Sequence, residues 1–332
     1  MGYHFYDIAV PAGRGIRSFT MWKDIIGHES QIEELSAGIR SGRIPHALLF
    51  AGPRGLGKTK LAREYFKGLN CLTSKGDPCD TCRSCIKAEA GTHPDLHFIG
   101  PSNGWILVED IRKIITETGL NPYEARTRVI VIEPAEKLNK ASSNALLKTL
   151  EEPPAGTIIL LVSHKPSLLL PTILSRCQVF RFTPLDPRGS AKGPVDPFIL
   201  RLTSGTLGGM PEGDLDRVME IRSGILGMLR GDDPVQLANH YFSEQEQGSE
   251  DLSIFLVLAE SMLRDALVFT NNRDELINEE LSGVLRKGRL NFFEAEDTIA
   301  CLNAIRRGVN ENINLRHAMS ELLIRMKRLL TA

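Results

Sequence analysis

Eight residues, Gly52-Pro53-Arg54-Gly55-Leu56-Gly57-Lys58-Thr59, carry the spacing G-x-x-x-x-G-K-T. Gly52, Gly55 and Gly57 let the backbone curl until successive N–H groups face one point, and a helix N-terminus behind them adds partial positive charge. That combination suits a polyphosphate, with Lys58 reaching the β- and γ-phosphates and Thr59 holding Mg²⁺. The flanks fit, because Ala47-Leu48-Leu49-Phe50 reads as a short buried strand and Lys60 to Phe66 as a helix. The plainer alternative is a glycine turn entering a helix, and the strand–loop–helix setting favours nucleotide binding over it. Hydrolysis does not follow from the loop alone.

A second cluster is Cys71, Cys79, Cys82 and Cys85, spaced C-x7-C-x2-C-x2-C. Two intervening residues let both sulfurs of a pair reach one tetrahedral ion, and four thiolates leave no position for water, which describes a closed structural Zn²⁺ site. Gly76, Asp77 and Pro78 supply the turn between ligands. Redox or iron–sulfur chemistry is the competing reading, less favoured because all four ligands fall in one knuckle. Cys177 and Cys301 are expected to be small buried residues.

These groups sit in a chain of 332 residues, 42% hydrophobic and 24% charged, enough for two or three domains with their own cores. A formal net charge of −1 argues against a protein that grips nucleic acid over its whole surface. No apolar run approaches the ~18 residues needed to span a bilayer, and a cytoplasmic location is the expectation. Residues 1–20 read as a disordered extension or a misassigned start, with Met21 opening the patterned sequence.

Further strand-like runs are Leu96–Ile99, Val129–Ile132, Ile158–Val162 and Val179–Phe182, separated by helical patterns near 107–119 and 139–152. Continuous apolar strands alternating with helices predict a parallel sheet covered on both faces, an α/β domain with the nucleotide at the C-terminal strand ends. Pro187 to Pro197 reads as linker, a second glycine-rich stretch runs from Ser204 to Pro211, and the chain is helical from Leu215 onward. Leu252, Phe255, Leu256, Leu258, Met262, Leu263 and Leu267 form an apolar stripe of that helical tail.

Several separated motifs occur in one order: Asp24-Ile25-Ile26-Gly27-His28, Arg43 to Phe50, the phosphate loop, the cysteine knuckle, Asn144 to Pro154, and Leu174-Ser175-Arg176-Cys177. Together they resemble the AAA+ subunits of bacterial clamp loaders, well from about residue 22 to 185 and more weakly beyond, where Asn314 to Met319 looks like their collar. The resemblance implies an AAA+ P-loop domain over 21–184, a linker and reduced lid over 185–215, and a helical collar over 216–332. It implies partners too: gamma/tau and delta clamp-loader subunits, a sliding clamp, and primed DNA through the assembled complex, with no membrane. Polymerase chemistry would belong to the DNA polymerase III holoenzyme as a whole.

Within that family, departures from an active motor point to a delta-prime-like stator. Motor subunits resemble Asp-Glu-Ala-x where this chain has Glu133-Pro134-Ala135-Glu136. Glu133 can share in Mg²⁺ coordination, but Pro134 offers neither acid nor proton acceptor. Losing the general base should slow hydrolysis roughly 10²–10⁴-fold. Glu136 is the one acid that could substitute for it, but on a loop continuing the strand it is expected to point elsewhere, as a helix-capping or surface charge. Gly208-Gly209-Met210 carries no second-sensor arginine, and Ser163 stands near the first-sensor position. Arg176, in the Ser-Arg-Cys motif, is implied to reach a neighbouring subunit's nucleotide as an arginine finger, against the plainer alternative of a local salt bridge. An active gamma/tau-type ATPase and a zinc-dependent nucleic-acid-binding module are the alternatives; the second lacks aromatics interleaved with Lys75, Arg83 and Lys87.

Overall fold

The structure, a computed structural model, describes residues 22, 25–117, 121–186, 196–206, 215–242, 248–269, 276–285, 291–308 and 314–331. The extension at 1–20, Met21, linker residues 187–195 and the glycine stretch at 207–211, including Gly208-Gly209-Met210, lie outside them. The chain divides into two compact units, Met1–Leu185 with Thr206–Gly208, and Asp186–Gly205 with Gly209–Ala332.

The first unit runs α1 (Glu29–Ser41), β1 (Ala47–Ala51), α2 (Lys58–Asn70), α3 (Arg83–Glu89), β2 (Leu96–Ile99), α4 (Val108–Glu117), β3 (Arg128–Ile132), α5 (Lys140–Glu151), β4 (Thr157–Ser163), α6 (Pro171–Leu174) and β5 (Gln178–Arg181). The five strands form one sheet in the order β2-β3-β4-β1-β5, every neighbouring pair parallel. Apolar runs make these strands because both faces are covered. On β1, Leu48 and Phe50 join Ile32, Leu35, Leu61, Tyr65 and Phe66 on one face. Leu49 and Ala51 join Ile111, Leu146, Leu150 and Ile173 on the other. Each large side chain buried this way contributes about 1.5–3 kcal/mol.

Local signals set the ends of these helices. Asn139 caps α5, its side chain accepting from the Ser142 N–H at 2.8 Å. Asn70 ends α2 and ties it to the strand approach: its amide donates to Phe66 O and Thr127 O, while Oδ1 accepts from the N–H groups of Arg126 and Thr127. Cys71 then leaves the helix with extended dihedrals.

Asp95, fully buried just before β2, fixes the approach to β3 from another direction. Its carboxylate accepts the N–H groups of Tyr123, Glu124 and Ala125 at 2.7, 2.8 and 2.9 Å and lies 3.3 Å from Arg128. Burial alone would push this carboxyl up, but the three donors and Arg128 outweigh it and hold it below the usual carboxylate range. The sign of the linkage follows from that depression: the stabilisation is present above the unfolded value of about 3.9 and is lost as pH falls through the lower folded one. Asp95→Ala is expected to cost about 3 kcal/mol in denaturant unfolding at pH 7, because it strips buried Arg128 of its carboxylate and three part-buried N–H groups of their shared acceptor. A cost below 1 kcal/mol would contradict this account.

The second unit is helical in all its described elements: α7 (Pro197–Leu202), α8 (Leu215–Arg230), α9 (Pro234–Phe242), α10 (Gly248–Phe269), α11 (Leu281–Leu285), α12 (Phe292–Gly308) and α13 (Leu315–Thr331). The expected stripe lies on α10, with Leu252, Phe255, Leu256, Leu258, Met262 and Leu263 buried and Leu267 half-buried. Phe255 meets Tyr241 and Phe242 of α9 edge to face or tilted at 5.3 and 5.2 Å, and α9 packs on α13. No described helix is long and apolar enough to cross a membrane.

Candidate nucleotide site and cysteine knuckle

The loop from Gly52 to Gly57 joins the C-terminal end of β1 to α2, between the ends of β4 and β5. Chain order jumps there, since β1 is followed by the far-edge β2 and the sheet returns to its side only at β4, the crevice where open α/β sheets take ligands. Gly52 N donates to Ser163 O at 3.1 Å, and a Cβ on Gly52 would come within 2.3 Å of Phe182 O. Only glycine fits between those strands. Gly57, at φ 72°, turns the backbone into α2.

Lys58 opens α2 with its side chain almost wholly buried, and Nζ donates to Gly52 O at 2.7 Å and to Pro53 O. Burial pulls this ammonium down to about 8, against the attraction of Glu133 and Glu136. A phosphate would supply negative charge in the same cradle and favour the charged form. Thr59 Oγ1 donates to Glu133 Oε2 at 2.5 Å, bringing together the hydroxyl and carboxylate expected to share Mg²⁺. Glu133 follows β3 directly, and burial raises its carboxyl despite the Thr59 bond, Lys58 and Arg54. A buried lysine on loop carbonyls, a glycine cradle and an oxygen donor pair form a set that fits a magnesium-bound nucleotide.

Glu136 corrects the sequence reading. A 3₁₀ turn over Ala135–Lys137 swings its side chain back to the end of β4, where it accepts from Ser163 Oγ at 2.8 Å and from the His164 N–H at 3.2 Å. His164 escaped the sequence reading as well. Its Nε2 stands 3.8 Å from Glu133 Oε1 and its buried Nδ1 has no hydrogen-bond partner, while burial, with Lys58 and Arg54, takes it down to about 4. The ring is therefore neutral at pH 7. Its signal was adjacency to Ser163 at a strand end.

Arg176 lies at the opposite ends of the strands. It follows α6 and precedes β5, which runs parallel to β1 with Leu48 opposite Gln178 and Ala51 opposite Arg181. Arg176 is thus level with the start of β1, whereas the phosphate loop follows its end, a separation on the order of 15–20 Å at ~3.3 Å per strand residue. The guanidinium pairs with Glu151 Oε1 at 2.5 Å and donates to Thr172 O at 2.9 Å, with about a third of the side chain exposed.

The four knuckle thiols converge. Cys71 follows α2, Cys82 caps α3, Cys85 lies within α3, and all four sulfurs fall within 4.8 Å of one another. Four sulfurs at ~2.3 Å from a tetrahedral Zn²⁺ stand ~3.8 Å apart, so a small contraction closes the shell. Hydrogen bonds from Thr73 and Thr81 draw Cys79 down to about 5, and the Cys82 N–H also donates to its sulfur at 3.3 Å. This donor set can hold a metal ion. Behind it, buried Lys67 of α2 pairs with Glu64 at 2.6 Å, Asp80 at 2.7 Å and Glu89 at 2.9 Å. Trp22 Nε1 and Ser36 Oγ both donate to Gly76 O, at 3.2 and 2.7 Å. Lys87, one of the cations considered for the nucleic-acid-binding alternative, is paired with Glu124 at 2.7 Å. Cys177 and Cys301, expected to be buried, are half-buried.

Comparison with known proteins bears on residues of both units. The family described as DNA polymerase III, delta subunit, matches residues 27–186. The delta' subunit of DNA polymerase III from Bacillus subtilis is 27% identical over 92% of this chain and 98% of its own length. That from Pseudomonas aeruginosa is 41% identical over 40% of this chain and 41% of its own length. The tau subunit from Escherichia coli is 42% identical over 49% of this chain, but the chain spans only 25% of that longer protein.

Proposed function

We propose, on the premise that this chain is a clamp-loader subunit of the bacterial DNA polymerase III delta' kind, that it is the stator of an AAA+ ring. In this reading it binds nucleotide, hydrolyses it poorly, and lends Arg176 to a neighbouring gamma/tau motor subunit while a sliding clamp is opened and closed around primed DNA.

The observation that carries the reading is the opposite placement of two groups that a self-sufficient ATPase needs side by side. The phosphate loop lies at the C-terminal strand ends and Arg176, paired with Glu151, at the N-terminal ends, which supports a role for Arg176 toward a second subunit rather than toward this chain's own γ-phosphate. In its own site Lys58 would contact the β- and γ-phosphates and Thr59 with Glu133 would hold Mg²⁺. Pro134 leaves the following position without a base, and Mg²⁺ there would supply charge neutralisation for phosphate oxygens. The four cysteines take Zn²⁺ as a structural ion, bracing the outer side of α2. The helical second unit serves as collar, with α7 as what is described of the lid.

The intact Lys58, Thr59 and Glu133 arrangement favours a second reading, an active gamma/tau-type motor, which Pro134 opposes. The first test is assembly: this chain mixed with gamma/tau and delta should co-elute as one complex, and omitting it should abolish loading of the clamp onto primed DNA. A complete, loading-competent complex formed without this chain would contradict the stator role.

A further inference from the structure

Ser163 ends β4 beside the phosphate loop and His164 follows it, with Gly52 N bonded to Ser163 O. They are the natural donors to a third phosphate at this end of the sheet. Ser163 has one hydroxyl proton, and it goes to Glu136 Oε2 at 2.8 Å. The His164 N–H goes to the same carboxylate at 3.2 Å. Both donors are therefore spent on an anion that the chain itself supplies.

The groups around Glu136 sharpen the point. Lys58 and Arg54 are the cations facing the site, and Glu133 the other carboxylate, with neutral His164 between. Glu133 has Thr59 and an expected Mg²⁺ to balance it. The hydrogen bonds that hold Glu136 come from Ser163 and His164, both uncharged groups. Its negative charge therefore stands against the donors that the terminal phosphate of a triphosphate would meet, and it also acts on Lys58.

We infer that Glu136 makes this site selective for a nucleoside diphosphate over the triphosphate, by occupying Ser163 and the His164 N–H and by repelling the γ-phosphate. The inference rests on the proposed nucleotide site and deepens it, giving a quiet site a resting ligand. Repulsion between like charges in a partly screened site discriminates on the order of tenfold or more.

The test is calorimetric titration of the full chain with Mg²⁺-ADP and with a non-hydrolysable Mg²⁺-ATP analogue, for wild type, Glu136→Ala, Glu136→Gln and Lys58→Ala. Wild type is expected to bind ADP about tenfold or more tightly than the analogue. Glu136→Ala should close that gap by tightening the analogue alone, and Glu136→Gln, which keeps an acceptor for Ser163 without the charge, should close part of it. Equal wild-type affinities, or Glu136 variants that move both ligands alike or neither, would overturn the selectivity role and leave the nucleotide site standing. Loss of both ligands only in Lys58→Ala supports the site itself. Wild type that binds neither would sink the site reading and this inference together.

Discussion

Alanine at Arg176 is expected to slow clamp- and DNA-stimulated ATP turnover of the reconstituted loader sharply while leaving this chain's fold intact. An arginine supplied in trans to a P-loop site is worth about 10³–10⁵ in rate. Only the neighbouring motor site would lose it, so the whole complex should fall roughly tenfold or more if its sites fire in a coupled sequence. Stability should hardly move. The Glu151 pair is a partly exposed salt bridge, and such pairs contribute ~0–1 kcal/mol. Arg176→Lys keeps the charge but not the planar fork and should rescue little. The decisive readouts are the turnover rate and the melting temperature of the free chain, measured side by side. Unchanged turnover would return Arg176 to a local salt bridge.

Removing the knuckle metal should destabilise the first unit measurably. Structural Zn²⁺ contributes about 10–16 kcal/mol of apparent binding energy in small peptides. The first unit keeps its sheet core without the ion, so the expected cost is a few kcal/mol, a melting shift on the order of 10 °C for a unit of this size. The buried Lys67 explains why the damage should spread. It is neutralised by Asp80 from the knuckle and Glu89 from α3, together with Glu64 of its own helix. Loosening the knuckle withdraws Asp80 and leaves charge on a face of α2 packed against the core. Elemental analysis should find one zinc per chain, and Cys79→Ser or a strong chelator should reproduce the shift. Metal-free protein with an unchanged melting temperature, or an iron–sulfur absorption band, would contradict this account.

Much of the first unit was legible because parallel strands buried on both faces read as continuous apolar runs. Each of the five was found within a residue or two, from Ala47–Ala51 to Gln178–Arg181. The helices between them showed where the apolar spacing was long enough, as in α4 and α5. The short α3 did not show, because its seven residues bury Ser84, Cys85 and Ala88 rather than an apolar stripe. The sequence reading also passed over α1, although Ile32, Leu35 and Ile39 carry helical spacing.

The site divides along the same line. The loop, Lys58, Thr59 and the cysteines are defined by contiguous spacing, so the sequence reads them directly. Glu136 depends on one 3₁₀ turn, which reverses the direction an extended continuation of β3 would give its side chain. No periodicity encodes that reversal. His164 matters only because β4 ends beside the loop, a fact of sheet order rather than of spacing. The remote placement of Arg176 likewise rests on the register of β5 against β1.

The central claim is that this chain's own nucleotide site is quiet while it serves another. The measurement that tests it most directly is stimulated ATP hydrolysis by a loader in which only this chain carries Lys58→Ala. The account predicts turnover within about twofold of wild type, since removing the phosphate-binding cation from a site with Pro134 in the general-base position, and with Glu136 tied to Ser163 and His164, removes little rate. A fall comparable to losing an active motor site would contradict it and make this chain a hydrolysing subunit.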